Sequence, residues 1–153
     1  MIRLSSIAIG ILWVGANVGL GADEAEAQAK DVVAAFVKAI KAKDADAVMK
    51  VAGVPWFADG KQVIKDADEL KTYVKSKLDG LKEPERVPSE ILRVERWDKF
   101  PRREKLGADE AKKVDEVVGK DGLVVILGRD GKDAGAILVR VEGGKAKVVG
   151  VEN

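Results

Sequence analysis

The strongest constraint on the fold lies near the end of the chain, in three apolar runs separated by very short turns. Leu123–Gly128, Ala136–Val141 and Lys145–Val151 read as strands, joined through Arg129-Asp130-Gly131 and Glu142-Gly143-Gly144. Connections this short join antiparallel neighbours, because a parallel pair needs a crossover of about a dozen residues or more. The C-terminal third is therefore expected to be an antiparallel meander.

Helical periodicity dominates upstream. Val33, Phe36, Val37 and Ile40 stand at i, i+3, i+4 and i+7 within about Ala25–Ala42, one apolar stripe with Lys38 and Lys41 on the wet side. Asp44 is placed to cap a second, short helix on which Val48, Val51 and Ala52 share a face, ended by Gly53 and Pro55. Trp56–Ile64 holds two short apolar pieces around Asp59-Gly60, a pair that tolerates the positive φ angles of a tight hairpin. Asp66, with Glu69 three positions on, starts a third helix with Leu70, Tyr73, Val74 and Leu78 on its stripe and Gly80 as its stop. Glu83-Pro84 and Val87-Pro88 mark a connection. Ile91–Trp97 alternates, which places Ile91, Arg93, Glu95 and Trp97 on one strand face and Leu92, Val94 and Arg96 on the other. Phe100–Leu106 reads as a basic loop. Ala111, Val114 and Val118 align on a helix over Ala108–Val118 that Gly119 ends. Helices, hairpin, helix and then strands is an α+β order, and 153 residues suit one domain, here residues 23–153.

Residues 1–22 stand apart. Arg3 is their only charge, an apolar run extends from Ile7 to Leu20, and small residues follow, the pattern of a secretory signal peptide. Cleavage after Ala22 or behind the Ala25-Glu26-Ala27 triplet would start the mature chain near Asp23 or Gln28. An uncleaved membrane anchor is the competing reading. Against it, the run falls short of about 20 residues and is interrupted by Gly10, Gly15, Asn17 and Gly19. The expected destination is extracytoplasmic, periplasmic or secreted, with no stable membrane span after cleavage.

Composition removes whole classes of chemistry. Lys plus Arg is 27 against 26 for Asp plus Glu, a net charge of +1 that gives no electrostatic argument for a nucleic-acid partner. The basic run Phe100-Pro101-Arg102-Arg103-Glu104-Lys105 is too short to supply one. The chain has no Cys, so it forms no disulfide, thiolate metal site or thiol nucleophile. It also has no His, the commonest general base and transition-metal ligand. No phosphate-binding Gly loop, metal-ligand cluster or serine-nucleophile motif is present, and Asp44 with Asp46 is better explained by capping than by Ca²⁺. Neither a cofactor nor a metal is expected.

The opening VVAAFVKAIKAKDADAVMKVA with its Lys43-Asp44-Ala45-Asp46 break, the VPWFADGKQVIKDADELKTYV segment and the closing AILVRVEGGKAKVVGV together resemble the nuclear-transport-factor-2-like, or SnoaL-like, superfamily. The likeness covers about residues 28–151, and the Ala108–Val118 insertion departs from the shortest members. The resemblance implies a cone-shaped, strongly curved antiparallel sheet wrapped around the N-terminal helices. It also implies an apolar pocket in which Asp, His, Tyr or Arg polarises a small organic ligand, and homodimerisation through the outer sheet.

The candidate ligand-binding residues are Trp56, Tyr73, Arg93, Glu95, Trp97 and Arg140. Trp56, beside Phe57, can line a pocket mouth or fill hairpin core. Tyr73 can turn its hydroxyl into the cone or keep it wet. Arg93 and Glu95 share a strand face with Trp97, and their Arg-x-Glu spacing is similar to the Arg-x-Asp pair of limonene-epoxide-hydrolase-like members, without a third acid to complete that trio. Arg140 can reach a pocket carboxylate or the open sheet face. The expected function is an exported domain that binds a small apolar ligand or a protein partner through its cone or sheet, with no residue assigned a catalytic role. The competing reading is a cofactor-independent lyase, isomerase or hydrolase that uses pocket carboxylates, since desolvation makes a carboxylate a stronger base or a neutral donor.

Overall fold

The structure, a computed structural model, describes residues 21–152. The signal-peptide reading of residues 1–22 falls almost wholly outside them. The apolar stripe read from Val33 to Ile40 forms α1 (Ala22–Lys41), which buries Ala29, Val33, Phe36, Val37 and Ala39. Lys43 turns the chain at φ 53°, and the Asp44 carboxylate accepts the Ala47 N–H at 3.0 Å to start α2 (Ala45–Val51). Asp66 caps α3 (Ala67–Gly80) in the same way, accepting from the Glu69 N–H at 2.9 Å, and Leu70, Val74 and Leu78 point inward. Each cap satisfies a backbone donor that the first helical turn leaves unpaired.

The strands are β1 (Ala52–Ala58), β2 (Gln62–Ile64), β3 (Glu90–Arg96), β4 (Leu123–Arg129), β5 (Lys132–Glu142) and β6 (Lys145–Glu152). They form one curved, unclosed sheet in the order β2-β1-β6-β5-β4-β3. The expected tight turns are present. Asp59-Gly60, Asp130-Gly131 and Gly143-Gly144 each place two successive residues at positive φ, the hairpin geometry whose twist matches the flanking strands. The β4-β5-β6 meander is antiparallel, as the turn lengths require.

Three expectations need correction. The sheet is not antiparallel throughout: β1 runs parallel to β6, because α3, β3 and α4 (Ala108–Val118) separate the two strands in sequence and allow a long crossover. The alternation across Ile91–Trp97 is interrupted by a bulge at Leu92, where the register steps from Ile91↔Leu127 to Arg93↔Ile126. The extra residue returns Ile91 to the face of Val94, toward α1, and places Leu92 over Gly128 on the face of Arg93 and Glu95. Trp97 lies beyond the strand, in a 3-10 turn Trp97–Lys99, and the basic stretch behind it is a second 3-10 turn, Pro101–Lys105.

Side chains alternate between two cores on the two faces of the sheet. Val125, Leu127, Ile137, Val139 and Val148 face α1, α2 and α3. Val124, Ile126, Leu138 and Val149 face the other way, where Val114, Val117 and Val118 of α4 cover them together with Trp97 and Phe100. The helices therefore lie on both sides of the sheet. Gly150 allows the tight β1–β6 approach: a Cβ there would stand 3.1 Å from the Phe57 carbonyl oxygen.

Candidate functional site

Side chains on the inner face of the sheet leave an open cavity of about 1020 Å³. Phe36, Val37 and Ile40 of α1, Val48 of α2, Val74 and Leu78 of α3, and Leu127 and Ile137 of the sheet form apolar walls. Trp56 lines the cavity at 3% exposure, its ring tilted against Phe36 at 6.1 Å. The cleft continues past the strand ends, along Gly135 and Glu152, to Arg102, Lys105 and Glu110.

A polar cluster marks the rim near Trp56. The α3 stripe carries Tyr73 and Lys77 to the β1–β2 turn, where Asp59 Oδ1 accepts from Lys77 Nζ at 2.8 Å and from the Tyr73 hydroxyl at 3.1 Å. The Lys77 hydrogen bond is the main reason the Asp59 carboxyl sits below the usual carboxylate range. Burial, then the bond to Asp59, pushes the Tyr73 hydroxyl up, so it is held as a neutral donor. The buried Trp56 Nε1 acts on the Tyr73 oxygen and favours the ionised phenol slightly, short of full hydrogen-bond geometry with it or with any other group among the described residues.

At the opposite end the Glu152 carboxyl is pushed up by burial, against the attraction of Arg102 and with the repulsion of Glu110. Glu152 is a cavity carboxylate that the sequence reading missed. Its one signal was a lone charge closing the apolar run Val148-Val149-Gly150-Val151.

Arg93 and Glu95 lie outside this cavity, on the opposite sheet face. They line a smaller pocket of about 220 Å³ with Phe100, Ile126 and Asp133, which meets the large cleft at Arg102, Lys105, Gly135 and Ala136. Arg93 Nε donates to Glu95 at 2.6 Å, and its two terminal nitrogens donate to the two oxygens of Asp133 at 2.9 and 2.8 Å. Asp133 is the third member, an acid that the sequence did not offer, because it arrives from β5, forty positions downstream. The cluster is wet: Arg93 and Asp133 side chains are each 46% exposed and Glu95 27%. Hydrogen bonding to Arg93 holds the Asp133 carboxyl below its ordinary range. Asp133 is therefore ionised at neutral pH and unsuited to donate a proton.

The chain matches no protein-family model, no curated protein and no solved structure.

The remaining candidates separate from the cavity. Trp97 is 2% exposed and anchors the second core, donating Nε1–H to Asp115 Oδ1 at 2.6 Å while Arg103 grips the same carboxylate. Arg140 faces Glu142 with Nε 3.0 Å from Oε2, an ion pair by distance that lacks hydrogen-bond geometry, and lines neither pocket. Of the six residues singled out in the sequence, the structure brings only Trp56 and Tyr73 together at the main cavity. Among the described residues no group of three Asp or Glu is placed to hold a metal ion.

Proposed function

We propose that this chain is an exported binding domain of the nuclear-transport-factor-2-like type that takes a small, mainly apolar ligand into the cavity between its helices and sheet, without transforming it. The carrying observation is the cavity itself: an open space of about 1020 Å³ with walls of Phe, Val, Ile, Leu and Trp. Exposed apolar concavities with few polar groups are the usual form of a small-molecule site. The element order and the sheet curving round α1–α3 support the family reading. The implied homodimer through the outer sheet would meet α4, which already covers part of that face.

A direct test is titration with the neutral fluorophore N-phenyl-1-naphthylamine. One saturable site is expected. Val74→Phe, which adds volume to the α3 wall, should weaken it by at least about tenfold, equivalent to about 1.4 kcal/mol. Absence of saturable binding, or a folded Val74→Phe protein that binds as tightly as the parent, would sink this reading.

The apolar run behind Arg3 supports export. Among the described residues no helix is long and apolar enough to cross a membrane. N-terminal sequencing of the chain recovered outside the cytoplasm should begin near Asp23 or Gln28; an intact Met1 in a membrane fraction would contradict it.

The trio of Arg93, Glu95 and Asp133 gives specific support to a second reading, a cofactor-independent hydrolase. Its exposure and the ionised Asp133 weigh against it, since carboxylate acid–base work needs one group kept protonated in a dry site. Turnover of a small epoxide or ester that Asp133→Asn abolishes would favour this second reading.

A further inference from the structure

The basic stretch Pro101–Lys105 carries three cations, and the fold engages one of them. A 3-10 turn has three residues per turn, so Arg102 and Lys105 stand one above the other on one face, with Arg103 turned away. Arg103 grips Asp115 of α4 at 2.9 Å. Arg102 and Lys105 are exposed, line the large cleft and form no salt bridge among the described residues. Lys61 lines the same cleft and is likewise unbridged among the described residues. Lys113 Nζ of α4 holds its turn by donating to the Lys61 carbonyl oxygen at 3.0 Å.

The charges around the cleft leave a small positive surplus. Asp59 and Lys77 offset each other in their 2.8 Å pair. Against Lys61, Arg102 and Lys105 stand two carboxyls, Glu110 and Glu152. Burial pushes Glu152 toward its neutral form, and the attraction of Arg102 draws it back only in part. One stretch of the space is therefore apolar, along Phe36, Val74 and Leu78, and another is wet and cationic. A wholly apolar molecule would use the first and leave the second to water. An ammonium head would meet the surplus of like charge. A dianion would exceed that surplus and face Glu110 and Glu152. A single carboxylate on an apolar chain fits both stretches, and at the exposed rim it avoids the cost of drawing a bare charge into the apolar walls.

We infer that the ligand of this cavity is a single-chain amphiphile with one carboxylate headgroup, its tail along Phe36, Val74 and Leu78 and its head on Arg102 and Lys105. The inference rests on the binding reading above and adds the chemical class. It also gives the basic stretch a role: one cation fixes the turn to α4, and the two on the other face receive the head.

Three probes that share a decyl chain and differ in headgroup separate the alternatives: decanoate, 1-decanol and decylammonium. Each is titrated below its micelle concentration into the purified chain near neutral pH, with binding measured by calorimetry. Decanoate should bind more tightly than decylammonium. Replacing both head contacts, Arg102→Gln with Lys105→Gln, should weaken decanoate about three- to tenfold, the range two exposed charge contacts supply. Decanol affinity should stay within about twofold in that variant, which separates loss of the head contact from damage to the walls. Lys99→Gln removes an exposed cation that does not line the cleft and should leave decanoate affinity unchanged. If the double variant does not fold, salt decides in the parent protein: at about 1 M, where charges are screened beyond about 3 Å, decanoate should weaken and decanol should not. Decanoate affinity that survives the double substitution, or in its place the salt, would overturn the inference while leaving the cavity-binding reading intact. Decylammonium bound as tightly as decanoate would overturn it in favour of Glu110 and Glu152. Failure of all three probes to bind would remove both readings.

Discussion

Replacing Trp97 by alanine should lower the unfolding free energy by about 3–5 kcal/mol, the usual loss for truncating a buried large aromatic. Trp97 is 2% exposed, stacks obliquely on Phe100 at 6.0 Å and ties the end of β3 to α4 through its 2.6 Å bond to Asp115. Truncation removes the packing on Phe100 and one of the two groups that grip the Asp115 carboxylate; Arg103 remains the other. Trp97→Phe keeps much of the ring and loses the hydrogen bond, so it should cost less, about 1–3 kcal/mol. Neither change should alter N-phenyl-1-naphthylamine affinity, because Trp97 does not line the large cavity. Urea titrations of the three proteins measure the first effect, and fluorescence titration measures the second. A loss below about 1 kcal/mol for Trp97→Ala would mean that α4 does not pack as described, and a weakened probe site in a folded variant would return Trp97 to the ligand.

Ile91 shows where sequence reading stops. Period-2 alternation placed it beside Arg93, Glu95 and Trp97, and in a regular strand that would be right. Trp97 does fall on the face of Arg93 and Glu95, though in the 3-10 turn beyond the strand, whereas the bulge at Leu92 moves Ile91 to the other face. One inserted residue leaves no mark in a short pattern of mixed apolar and charged residues. Asp133 was hidden for a different reason: an ion pair between β3 and β5 depends on sheet register, and register across forty positions is not written in local periodicity. The parallel β1–β6 contact is likewise long-range. In contrast, the helix stripes, the Asp44 and Asp66 caps and the three tight turns are local devices, each contained within a few residues, and all were legible. The two-faced burial of the sheet falls between these cases. The apolar stripe of α4 could be read, but its choice of sheet face could not.

The same distinction between local and tertiary information governs the last expected result, for Phe36→Ala. Phe36 lies on the most legible element of the chain, is 5% exposed, and packs against Trp56 where core and cavity meet. Its truncation should cost about 3–5 kcal/mol, because the helix α1 is held in place by neighbours and cannot collapse into the space. Unlike Trp97, however, Phe36 borders a space that a ligand can occupy. The vacated volume joins the existing cavity, so an apolar ligand that binds the folded variant stabilises it by mass action. A probe present at a hundred times its dissociation constant contributes about 2.7 kcal/mol. At one fixed probe concentration N-phenyl-1-naphthylamine should therefore stabilise Phe36→Ala, whose enlarged cavity gives the probe more contact, by more than the equal increment it gives the parent protein and Trp97→Ala. Denaturant titrations with and without the probe make the comparison. A loss below about 1 kcal/mol without probe would show that α1 does not supply the core as described. Full loss with no greater recovery than in Trp97→Ala would separate Phe36 from the cavity wall, and leave Val37, Val74 and Leu78 to form it.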